Sequence, residues 1–168
     1  MYELEEKSKI IDGYKIKSKG IFNFEELYKE MHNWFKHYSY DWKELEYKKV
    51  DNTDNTQTVE LRWECPKKID NYVSMLTSIF VQARIGDVDV NIGNEKKRMN
   101  NGSVELKFDT VMLKNVSSWT GKPMGKLSGL IYERILIKDR LRAYEDEIRN
   151  ETNKLMSEVK EYLQVYAR

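Results

Sequence analysis

The sequence predicts an α+β fold: one antiparallel sheet of about five to six strands, one helix in the N-terminal half, and a long helix at the C-terminus. Three observations carry this reading. The apolar residues Ile137, Leu141, Tyr144, Ile148, Leu155, Val159, Tyr162 and Tyr166 recur three or four apart between charged residues, with Thr152 in the gap, which is the repeat of one helix face. Val59, Leu61, Trp63 and Cys65 alternate with Glu60, Arg62 and Glu64, which is the period of a half-buried strand. Phe24, Leu27, Tyr28, Met31, Trp34, Phe35 and Tyr38 form a second helical stripe, rich in aromatic rings and suited to covering a flat sheet.

In chain order, Ile10, Tyr14 and Ile16 mark a first strand with Gly13 as a bulge or bend. Asn23 follows as an N-cap, with Glu26 three residues on as its reciprocal partner and Phe22 placed to staple against Leu27. Tyr40 to Val50 and the arm beginning at Val59 read as a hairpin around the turn-forming cluster Asp51-Asn52-Thr53-Asp54-Asn55. Pro66 removes a ladder donor, so it should end its strand or lie at an edge, with Lys67-Lys68 making the turn. Ile69 to Arg84 is apolar on both faces and reads as a central strand. Gly86-Asp87 is read as a turn into another strand at Val88, Val90 and Ile92, and Asn101-Gly102 as a tight turn closing a basic connection. The apolar parity set by Val104, Leu106 and Phe108 changes at Val111 and Leu113, which predicts a bulge near Asp109-Thr110.

Strands joined by short connections must be antiparallel, and a helix at each end of the run places the helices on one face. This element order resembles the helix-grip layout of START-like and Bet v 1-like domains, in which a curved antiparallel sheet wraps a long C-terminal helix. The resemblance rests on order alone, and the single helix after the first strand departs from the usual two. What it implies is an apolar cavity between sheet and C-terminal helix, for which Trp63, Tyr72, Phe80 and Phe108 are the candidate lining residues.

Residues 1–168 are expected to form one domain. With no glycine or proline after Gly129, the C-terminal helix has room for about forty residues, roughly 60 Å. A compact domain of this size is only ~40 Å across, so 142–168 is expected to extend beyond the sheet and expose a stripe of Ile148, Leu155, Val159 and Tyr162 for self-association.

The chemistry-bearing residues are sparse. His32 and His37, the two histidines, stand five apart on a helix, whereas a two-histidine zinc site wants four; they read as surface or boundary residues. Cys65, the one cysteine, sits on the apolar parity beside Trp63 and reads as a small buried residue rather than a nucleophile. Gly121-Lys122-Pro123-Met124-Gly125-Lys126-Leu127 lacks the spacing and the hydroxyl residue of a phosphate loop. No catalytic residue, metal ligand or cofactor-binding residue is assigned, and no cofactor is expected. The net charge of +1 disfavours nucleic acid as a partner, with Lys96, Lys97 and Arg98 the only basic cluster considered for it. The acidic start, the single cysteine and the lack of an apolar run long enough for a bilayer lead to a cytoplasmic expectation.

The functional expectation is a non-catalytic binding or assembly module that uses the C-terminal helix, its partner being a second copy or another protein. The alternative is a carrier of a small apolar molecule, or a cyclase-like enzyme, built around the cavity.

Overall fold

The computed structural model describes residues 5–115 and 138–165. The chain runs β1 (Glu5–Phe22), α1 (Phe24–His37), β2 (Lys43–Asp51), β3 (Gln57–Lys68), β4 (Val73–Ile92), β5 (Glu95–Asn115) and α2 (Lys138–Val165). The five strands form one sheet in the order β1-β5-β4-β3-β2, every neighbour antiparallel. This is the expected α+β layout, with β4 in the centre and the first strand closing against the last. The stretch Gly121 to Gly129 and the start of the C-terminal helical stripe lie outside the described residues.

The inner face follows from the pleat. Val59, Leu61, Trp63 and Cys65 on β3, Val73, Met75, Thr77, Ile79 and Val81 on β4, and Val104, Leu106, Phe108, Thr110 and Met112 on β5 are all buried. They form one core with Leu27, Met31, Trp34 and Phe35 of α1 and with Ile148, Leu155, Val159 and Leu163 of α2. Each helix thus buries the stripe that its periodicity marks.

Helix α1 begins as the capping signal predicts, with Asn23 Oδ1 accepting from Glu26 N at 3.0 Å. The Glu26 side chain does not complete a capping box. Its carboxylate accepts instead from the Tyr162 hydroxyl at 2.9 Å, and Phe24 N donates to Asn100 Oδ1.

Four local expectations change. Gly86-Asp87 is not a turn, because β4 continues through it to Ile92, paired to β5 throughout. The turn lies at Gly93, whose φ of +62° suits glycine. Asn101-Gly102 is likewise inside β5, where a Cβ on Gly102 would stand 1.9 Å from the Arg84 carbonyl oxygen. Close strand approach, not turn geometry, accounts for that glycine, and two predicted strands merge to leave five. The bulge expected near Asp109-Thr110 is absent from the β4–β5 ladder and sits opposite, in β1 between Lys9 and Tyr14. Gly13 there has φ +63° and its N–H donates to Asp109 Oδ1 at 2.7 Å, so the irregularity falls at the bulge or bend expected at Gly13 and not at the one expected in β5. Val111 and Leu113 in consequence stay on the outer parity. Finally, Lys67-Lys68 is not the turn, because β3 runs to Lys68 and both residues pair with β4; β2 pairs only as far as Glu64, so Pro66 takes the expected edge position, its carbonyl accepting from Asp41 N.

Helix α2 is continuous across Asn150 to Asn153. Thr152 is buried, its hydroxyl donating to the Ile148 carbonyl at 2.9 Å and standing 3.2 Å from the Thr110 hydroxyl, which is in turn 3.2 Å from that of Thr77. This chain of hydroxyls links α2 to β5 and β4. Around it, Lys67 pairs with Glu151 at 2.7 Å, Arg149 donates to the Ile10 carbonyl, and the Tyr144 hydroxyl donates to Asp70 Oδ2 at 2.8 Å.

Candidate functional site

The stretch expected to overhang, 142–168, carries the most covered positions of α2. Ile148 (0 % exposed), Leu155 (2 %) and Val159 (3 %) face the core, and Tyr162 is half-buried with its hydroxyl donating toward the Asn23 carbonyl and Glu26. The proposed self-association stripe is therefore not an outer surface of this chain. Its physical premise fails because α1 and the sheet together flank the helix as far as Leu163. The less covered part of α2 is its start, Lys138 to Glu147.

The four cavity candidates do not converge. Trp63 and Phe108 are fully buried on the inner face, but Phe80 lies on the outer parity of β4, where the Arg62 guanidinium stands 5.3 Å from its ring centroid. Tyr72 precedes β4 in the Ile69–Tyr72 connection. Phe80 thus leaves the set, since alternate residues of a strand point to opposite faces. Trp63 is held within a closely packed group: Trp42 at 4.4 Å and Tyr28 at 5.2 Å between ring centroids, with its indole N–H donating to Glu44 at 2.9 Å. The Tyr28 hydroxyl donates to the same carboxylate, and burial followed by that hydrogen bond pushes its pKa up to about 12. These side chains pack Trp63 against α1 and the start of β2.

Cys65 is buried, and burial pushes its thiol up to about 12, so it holds its proton at neutral pH and is a poor nucleophile. His32 packs edge-on against Trp42 and His37 against Tyr38, as boundary residues of α1. Lys96, Lys97 and Arg98 each face a carboxylate, respectively Asp89, Glu26 and Asp87.

A different constellation emerges where α1 and α2 run side by side. Leu27, Met31 and Trp34 of α1 and Leu155, Val159 and Tyr162 of α2 line a groove of about 240 Å³. Glu26, Glu30 and Glu158 form its polar margin. Trp34, only 7 % exposed, stacks against Tyr38 at 4.4 Å, and its indole nitrogen is the one buried side-chain polar atom with no hydrogen-bond partner among the described residues. Such a donor is costly to leave unsatisfied, by about 1–3 kcal/mol. Two larger depressions, about 580 Å³ on the outer face near Lys17 and Arg84 and about 700 Å³ between Glu25 and Tyr47, are lined by a mixture of charged, polar and apolar side chains.

The sequence marks both stripes that make this groove, but its periodicity assigns the α1 stripe to the sheet and the Ile148–Tyr162 stripe to self-association rather than to each other. The signal that was present is the repetition of Leu27, Met31 and Trp34 at intervals of four and three; what the sequence does not encode locally is which other helix lies beside them. Among the described residues, no helix is long and apolar enough to cross a membrane. No protein-family model and no curated protein matches the chain.

Proposed function

We propose that the protein is a non-catalytic binding module in which the C-terminal helix and α1 together receive a partner in the groove between them. The observation that carries this reading is the unpartnered, buried indole N–H of Trp34 in the wall of an apolar groove. At about 240 Å³ the space is below the roughly 300–1,000 Å³ of most small-molecule sites. It suits one apolar side chain of a partner segment. The three glutamates at the margin favour a segment of positive charge, because complementary potential at a rim speeds encounter and selects the partner. The carrier or cyclase-like alternative draws less support, since Trp63 and Phe108, the residues that would line its cavity, are fully buried in the packed core.

The test is an NMR titration with a synthetic peptide of alternating lysine and leucine. The indole N–H signal of Trp34 and the methyl signals of Leu155 and Val159 should move together and saturate. Glu30→Lys combined with Glu158→Lys should weaken binding by about tenfold or more, and a glutamate-for-lysine version of the peptide should not bind. An unmoved Trp34 signal, or equal binding of the acidic peptide, would refute the proposal.

A further inference from the structure

Strand β2 is the feature left without a structural purpose by the core and the groove. It forms one edge of the sheet, pairing with β3 alone, and all nine of its residues are exposed, the Tyr28 hydroxyl on Glu44 being its contact with α1. Leu45 (54 % exposed), Tyr47 (52 %) and Val50 (45 %) stand among a handful of large apolar side chains in solvent. An edge of this kind offers a row of unpaired backbone donors and acceptors, which proteins otherwise cover or block.

We propose that β2 pairs with β2 of a second copy, antiparallel about a two-fold axis through Tyr47, joining two sheets into one. The register follows from geometry and charge. In an antiparallel ladder, facing residues both turn their N–H and C=O toward each other or both away. A strand paired with its own copy therefore has its axis at a residue, never between two. In the regular part of the ladder, Glu46 to Asp51, an axis at Glu46, Lys48 or Lys49 sets a charge against itself, which is destabilising. An axis at Val50 or Asp51 leaves only a few residues before the Asn52–Thr56 turn. The axis at Tyr47 alone gives a central ring pair flanked on both sides by Glu46 facing Lys48. The irregularity between Glu44 and Glu46, where Leu45 is the extra residue, bends the strand and limits pairing on that side. The contact is thus short, and its specificity rests on those two opposed charge pairs.

The charge pairs make the proposal testable without disturbing the fold, since Glu46 and Lys48 are exposed and the Glu46 contact to Arg62 is a long one of 4.0 Å between two half-exposed groups. Sedimentation should show a concentration-dependent dimer for the unaltered protein. Lys48→Glu makes both facing positions acidic, and Glu46→Lys makes both basic. Each variant alone should self-associate at least about tenfold more weakly, whereas an equimolar mixture of the two should recover the dimer as a mixed species. Circular dichroism should be unchanged throughout. A monomer at all concentrations, a dimer indifferent to both substitutions, or a mixture that fails to associate would each overturn the proposal. The α1/α2 groove takes no part in this contact, so the outcome is separable from the peptide titration.

Discussion

At the scale of single residues, the informative positions are polar groups placed in the core. Thr110 is fully buried between the hydroxyls of Thr77 and Thr152, each 3.2 Å away. If Thr152 donates to the Ile148 carbonyl, then Thr110 donates to Thr152 and Thr77 to Thr110, and every hydroxyl in the row has a use. Thr110→Val keeps the shape but removes the middle group, stranding the Thr77 donor. The expected loss is about 1–3 kcal/mol, read as a lower urea midpoint with an unchanged slope. A midpoint equal to that of the unaltered protein would show that the three hydroxyls are not coupled. This row was half legible in the sequence: Thr152 stands out as the polar member of an apolar stripe, but its partners come from distant strands with no local mark. Trp34 shows the opposite limit. Its burial follows from periodicity, whereas the lack of a partner for its indole nitrogen is a property of the assembled neighbourhood alone.

At the scale of elements, the long β4–β5 hairpin shows how two glycines of similar appearance differ. A Cβ on Gly102 would meet the Arg84 carbonyl oxygen at 1.9 Å, so Gly102→Ala must force the two strands apart, at about 1–3 kcal/mol or more. On Gly86 the nearest atom to a Cβ is 3.8 Å away, an ordinary contact, so Gly86→Ala should be close to neutral. Thermal unfolding of the two variants side by side checks the contrast, and equal melting temperatures would refute it. The same hairpin explains where the sequence misled. Glycine beside aspartate or asparagine is the usual turn signature, yet here both pairs lie inside continuous strands and only Gly102 marks a close crossing, a distinction that requires knowing what lies across the ladder. Where burial on one face dictates the pattern, as along Val59 to Cys65 or Ile148 to Val159, the sequence was sufficient to place the element and its buried side. The α1 cap was legible too, because its chemistry is confined to four consecutive residues.

At the scale of the whole molecule, α2 is tied to the sheet by contacts near each end, and the one at Asp70 is sensitive to acid. Burial alone would raise the Asp70 carboxyl, but the Tyr144 hydroxyl, the N–H groups of Tyr72 and Val73, and Arg140 outweigh it and hold the group below its ordinary value of 3.8. A carboxyl depressed in the folded state contributes stability above its unfolded-state value and loses it as pH falls through the folded one. The melting temperature should therefore decline as pH drops below about 4, and the difference between the unaltered protein and Asp70→Asn should shrink over the same range. A difference that stays constant down to the lowest pH would show that Asp70 does not carry this dependence. The sheet order has a separate consequence in time. Within the sheet β1 pairs only with β5, Phe22 against Asn100 and Glu5 against Asn115. On a ribosome, the first strand must wait unpaired until nearly all of the described sheet has been synthesised, while β3, β4 and β5 close through short turns. That late, long-range closure makes assembly slow for a chain of this size and leaves the N-terminal strand open to wrong pairing in the interval.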